Sequence, residues 1–233
     1  MAHEASTEDA AGPRQLVTSL RPQIYGKGSP NKVVDPIIEP LWVGVRALAA
    51  IDGDGAILMD EAGVSVEGFD DIVASLVEVT MASGLIVDGY LTKQATQPAS
   101  AVGAWSDETP TMTSIVGLRR NRAVDTLKLR EAALEARSFS IDDEISFVAT
   151  DLLWVDDQAL FDVPLLERRR ILESVLEQSD LIRIGAFIRP PILSWVGSWK
   201  AQGFDGLSYK AANSRYHPGE ARDEWAVSGM PRR

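Results

Sequence analysis

The sequence predicts an α+β domain with an antiparallel core, and three observations carry that expectation. Asp52-Gly53 and Asp54-Gly55 stand between the apolar runs Trp42 to Ile51 and Ala56 to Met59. Asp-Gly pairs tolerate positive φ in a tight turn, so these runs read as a hairpin. The run EISFVATDLLWV (144–155) is almost unbroken in its apolar character, as a central strand must be when both its faces are covered. Between such runs, apolar residues recur at helical spacing.

Taken in order, the elements follow from local chemistry. MAHEASTEDAAGPR is too polar to pack and lacks the basic start and apolar stretch of a secretory leader, so residues 1–20 are expected to be a flexible tail and 21–233 one domain. After the hairpin, GFDDIVASLVEVTMAS places Ile72, Val73, Leu76, Val77 and Val79 on one helical face, with Asp70 and Asp71 near the favourable N-terminal end. Leu85 to Leu91 is the next strand. TKQATQPASAVGAWSDETPTMT (92–113) has no periodicity and reads as a surface excursion that Trp105 anchors. RRNRAVDTLKLREAALEAR then gives a charged amphipathic helix opened by Arg119, Arg120 and Arg122. VPLLERRRILESVLEQ is a second such helix, whose Arg168 to Arg170 run is expected on an exposed face with one member paired to Glu167 or Glu173. LIRIGAFI reads as a strand, SWVGSWKAQG as a short helix ending at Gly203, and GLSYKAANSRYHPGE as a strand followed by a loop. Trp195 and Trp199, four residues apart, are expected in the core.

Composition narrows the function. A chain of 233 residues with 45% hydrophobic content can bury a substantial core. Without cysteine there is no disulfide and no thiolate metal site, and no apolar run is long enough to span a bilayer, so a cytoplasmic protein is expected. With 34 acidic against 23 basic residues, the net charge of -11 repels phosphate backbones unless cations gather on one face. There is no Walker loop, dinucleotide fingerprint or Ser-His-Asp set, and His3 and His217 lie in the tail and in a turn. Taken alone, Glu39 and Arg46 read as a cross-strand ion pair, and Asp88 and Asp151 as turn or cap residues.

Four stretches in order carry a resemblance. EPLWVGVRAL (39–48), IVDGYLT (86–92), DLLWVDDQALFDVPLLERRRILESVL (151–176) and FDGLSYKAANSRYHPGEARDEWAV (204–227) resemble the motifs of ATP-dependent DNA ligases. The resemblance implies a DNA ligase-like nucleotidyltransferase (ATP-grasp-like) domain, with antiparallel sheets bordering a nucleotide cleft. Since the chain ends at Arg233, no OB-fold domain is expected. In that family the first motif carries a lysine that attacks the α-phosphate of ATP to form a lysyl-adenylate. Leu41 occupies the lysine position, and an isobutyl group has no lone pair to form a P–N bond. The frame around it persists: the resemblance places Glu39, Arg46, Asp151 and Lys210 in the nucleotide pocket and Asp205 as the carboxylate that would help hold a metal.

Other positions depart as well. Val43 replaces an Asp, Tyr90 a carboxylate, Thr150 an adenine-stacking aromatic, Asp205 a Glu, and Val227 and Gly229 two lysines near the triphosphate. Without those cations, charge that develops during adenylyl transfer has little compensation. The expectation is an adenylation domain that has lost self-adenylation, holds ATP and magnesium weakly or not at all, and serves an accessory, nucleotide-sensing or scaffold role beside a protein partner in DNA repair or recombination. Binding to DNA is expected to be weak or absent. Two other readings stay open: an active ligase or adenylyltransferase that uses Lys32 or Lys210, and a protein-binding module with no nucleotide ligand.

Overall fold

The computed structural model describes residues 12–93 and 145–231. The surface excursion expected after Lys93, with Trp105, and the helix expected to hold Arg119, Arg120 and Arg122 lie outside them, as do residues 1–11.

Packed structure begins before Leu20. A short helix, α1 (Pro13–Leu16), is followed by Val17, which is fully buried against Leu48, Ala50, Ile86 and Trp154. Arg14 Nε donates to Asp52 at 2.8 Å and ties this helix to the hairpin. The segment is polar in composition, but Pro13 and Val17 fall four residues apart and share one face, which is enough to dock a single turn.

The run expected as a strand from Trp42 enters its strand only at Val45, and Glu39 belongs to a different one. Strand β2 (Pro36–Pro40) pairs with β9 (Gly206–Ala211), which also pairs with β11 (Trp225–Gly229), in a three-stranded antiparallel sheet. Strand β3 (Val45–Asp52) belongs to the larger sheet, between β4 (Gly55–Asp60) and β5 (Gly84–Thr92). Residues 41–44 carry the chain from one sheet to the other. Gly44 permits the crossing: its φ is +151°, and a Cβ there would stand 2.0 Å from the Leu91 carbonyl oxygen.

The larger sheet continues from β5 to β6 (Ser146–Val155) and β7 (Gln158–Ala159), with β8 (Ile182–Ile184) parallel to β6. Only these three residues of LIRIGAFI join the ladder, and Ile188 instead bridges to Ile38 of the smaller sheet. Period-two alternation sends Ala47, Ala49 and Ile51 to one face, where Leu76 of α2 (Asp70–Val79) and Leu172 of α3 (Leu165–Val175) pack. Leu48 and Ala50 go to the other face, toward Tyr216 and Trp225. Both faces of β3 are therefore covered, which is why its sequence shows no polar alternation. Helix α4 (Leu193–Ala201) buries Trp199 on Phe204 and Leu207, whereas Trp195, expected in the core, is 48% exposed. A two-residue strand, β1 (Ile24–Tyr25), runs parallel to β10 (Ala221–Arg222) and lays residues 21–28 along the end of the smaller sheet.

Candidate functional site

Of the charged residues that the motifs single out, Glu39, Arg46, Asp151 and Lys210 are buried and each is engaged by a neighbour in the protein, whereas Asp205 is exposed. Glu39 lies diagonally from Lys210 across β2 and β9, and the Lys210 ammonium stands 2.8 Å from Glu39 Oε2. Ser208 Oγ donates to the same oxygen at 3.3 Å, and Arg169 Nη1 lies 3.8 Å from Oε1. The expected pairing of Glu39 with Arg46 does not occur. Burial pulls the Lys210 ammonium down, but the Glu39 carboxylate, together with Asp151 and other nearby groups, outweighs it and leaves Lys210 above an ordinary lysine. The ammonium also stands 4.6 Å from the centre of the Trp225 ring.

Arg46 forms a fork on Asp88, with Nε to Oδ1 at 3.0 Å and Nη2 to Oδ2 at 2.6 Å, and its third nitrogen donates to the Gln23 carbonyl at 2.7 Å. Tyr216 Oη donates to Asp88 Oδ2 at 2.8 Å. Asp151 is held the same way by Arg168, with Nε to Oδ1 at 2.8 Å and Nη2 to Oδ2 at 2.7 Å. Asp88 and Asp151 are therefore buried mid-strand ion-pair partners, not turn or cap residues. They lie directly opposite each other on β5 and β6, an arrangement of like charges that is destabilising unless each is neutralised. Two bidentate arginines supply that neutralisation.

The Arg168 to Arg170 run divides. Arg168 and Arg169 are buried at 0% and 1% exposure, and only Arg170 lies on the surface, paired with Glu167 at 3.2 Å. Arg169 donates to the carbonyl oxygens of Thr150 and Gly185 and so fastens α3 beneath β6. Nothing within the helix marks the first two arginines as interior. Their acceptors lie on other elements, and the only local signal is that the preceding strand carries an aspartate in an apolar run.

Leu41 follows β2 at the crossing, where its amide donates to the Gly206 carbonyl at 2.9 Å. Its side chain packs against Val227 and Tyr25. The position that the resemblance gives to the nucleophile thus touches one of those it gives to a triphosphate lysine, and both are apolar. Trp42 turns its ring edge-on to Phe204, with centroids 5.0 Å apart. Thr150 is buried and its hydroxyl donates to the Asp88 carbonyl at 3.2 Å. Tyr90 lies beside Arg46, whose guanidinium carbon is 5.8 Å from the ring centre. Asp205, the expected metal ligand, is exposed at the start of β9, and partial desolvation raises it above an ordinary aspartate. Among the described residues no group of three or more His, Asp or Glu side chains is placed to hold a metal.

Residues 35–226 match the family model described as the ATP dependent DNA ligase domain. The chain belongs to that family. Solved structures agree on the fold. The ligase domain of M. tuberculosis LigD is similar with a TM-score of 0.59 at 19% identity, over 89% of this chain and 58% of that one. A mycobacterial DNA ligase D complexed with ATP and MES gives a TM-score of 0.56 at 18% identity, over 91% of this chain and 60% of that one. The chain thus spans about three-fifths of the length of these ligases. Within the ligase-type fold, the crossing at 41–44 carries the first motif, and the Asp88 and Asp151 strands lie side by side. No helix among the described residues is long and apolar enough to cross a membrane.

Proposed function

We propose that this ligase-family adenylation domain does not adenylate itself and acts in an accessory role, through its surface and a protein partner, beside DNA repair or recombination. The observation that supports this most is the contact between Leu41 and Val227. Adenylyl transfer requires a neutral amine to attack the α-phosphate while cations stabilise the departing pyrophosphate. Here the attacking position and a cation position have become one apolar cluster. The remaining cations face inward: Arg46 is bound to Asp88, and Lys210 to Glu39. The residues that remain would hold ATP and magnesium weakly or not at all.

Lys210 cannot stand in as the nucleophile, since its ammonium is held protonated against Glu39. Lys32 lies exposed in a 3-10 turn (Pro30–Lys32) and not in the crossing segment that holds Leu41. Incubation with ATP and magnesium is expected to leave the intact mass unchanged. An acid-stable AMP adduct mapped to any lysine would overturn this reading.

DNA binding is expected to be non-specific at best. Arg168 and Arg169, two of the cations expected on a surface patch, are buried, and Arg170 is paired, so none adds a free phosphate contact. The net charge of -11 opposes the few contacts left. Affinity for a nicked duplex should be roughly 100 μM or weaker at physiological salt. Fluorescence anisotropy on nicked and intact duplexes across a salt series measures this. Submicromolar binding that favours the nick would restore a DNA-joining role.

A further inference from the structure

We propose that Tyr25 is a built-in occupant of the former nucleotide cleft, placed there by the strap of residues 21–28. The inference rests on the reading of the domain as a non-adenylating relic, and it identifies what fills the site instead. Tyr25 packs on Leu41 and Val227, and its ring centroid lies 5.8 Å from that of Trp225. These neighbours come from the crossing segment 41–44 and from β11, which carry parts of the first and last of the ligase-like stretches.

The strap is fastened at both ends, so the ring is held in place and is not a loose lid. Gln23 is buried, its amide donates to Tyr216 Oη at 3.0 Å, and its side-chain oxygen accepts from the His217 amide at 2.7 Å. Its carbonyl takes the third nitrogen of Arg46. On the other side of the ring, the Gly26 amide donates to the Trp225 carbonyl at 2.9 Å and the Gly28 amide to Asp223 Oδ1 at 3.0 Å. Gly26 is what allows this closeness, because a Cβ there would stand 2.3 Å from Asp223 Oδ1. This half-buried aromatic ring against Leu41 and Val227 covers the positions that the resemblance gives to the attacking lysine and a triphosphate lysine, where a ribose and its α-phosphate would come.

The test compares adenosine binding, by thermal shift and calorimetry, in the wild type, Tyr25→Ala, Tyr25→Val and Trp195→Ala. Adenosine is neutral, so the acidic surface and the missing phosphate cations do not mask the result. Tyr25→Val keeps a strand-favouring residue at position 25 and guards against loss of the strap. Stripping the ring is expected to raise adenosine affinity by about tenfold or more over the wild type, because a site filled by its own side chain binds only in the fraction of molecules where it is open, with Trp195→Ala unchanged. If both Tyr25 variants fold and neither gains affinity over a silent wild type, the occupant role is overturned and the relic reading stands. If the wild type already binds adenosine or ATP tightly, the cleft is open and both fall.

Discussion

Asp151→Ala is expected to lower the unfolding free energy by about 3–5 kcal/mol, because it leaves the Arg168 guanidinium buried without its carboxylate. Arg168 would keep the carbonyls of Val163 and Ser214 and the face of the Tyr216 ring, which do not cancel a full charge. Against a total stability of about 5–15 kcal/mol, this is a large fraction and leaves the variant marginal at 37 °C. Arg168→Leu strands the other partner and should cost a similar amount. The double variant removes both charges and should cost clearly less than the sum, since a buried pair replaced by apolar groups loses little. Arg170→Ala, on the same helix but exposed and paired only with Glu167, should fall within about 0.5 kcal/mol of the wild type. Urea unfolding with unchanged slope reads each value as a shift in midpoint. A loss below about 1 kcal/mol for Asp151→Ala would mean that solvent reaches the junction and that the pair does not hold α3 to β6.

The contrast between Arg168 and Arg170 also marks where sequence reading stops. The hairpin at β3 and β4 was legible because its determinants are local: Asp-Gly turn chemistry sits between two apolar runs. Helix α2 and the central strands β5 and β6 were legible for the same reason. The interior placement of Arg168 and Arg169 was not, since a helix of the form LLERRRILESV presents its charges identically whether solvent or a distant carboxylate receives them. The division of residues 39–51 into two strands was hidden too. Apolar character continues across 41–44, and the break depends on which strands, β9 or β5, pair with each half.

The candidate site was half legible. Taken alone, Glu39 and Arg46 read as partners of each other and Asp88 and Asp151 as turn or cap residues; a charge inside a strand covered on both faces must find a partner, but that cover is supplied by elements distant in sequence. The family frame drew attention to the right positions. It could not say that Arg46 would choose Asp88, that Glu39 would choose Lys210, or that Tyr25 would reach the crossing, because those choices are made by contacts between residues far apart in the chain.

Leu41→Lys is expected to weaken the fold without creating an adenylating enzyme, and the surroundings of position 41 explain both effects. The leucine is 8% exposed and packs on Val227 and Tyr25. Replacing it with lysine forfeits that apolar burial and desolvates an ammonium, at an expected cost of about 2–3 kcal/mol. The long stem can relieve part of this by carrying its charge toward solvent. If it does so, the amine leaves the position from which it would attack. If it stays, burial among apolar groups favours its neutral form, which is the nucleophilic one. Yet Val227 and Gly229 still offer no cation to the triphosphate, Tyr90 offers no carboxylate to a metal, and Lys210 remains bound to Glu39. The single variant should therefore show no AMP adduct by intact mass after incubation with ATP and magnesium. Adding Val227→Lys and Tyr25→Ala opens the cleft and restores one cation, so any adduct should first appear in that triple variant. Robust adenylation by Leu41→Lys alone would show that one lost amine, and not the apolar cluster or the Tyr25 ring, separates this chain from an active ligase.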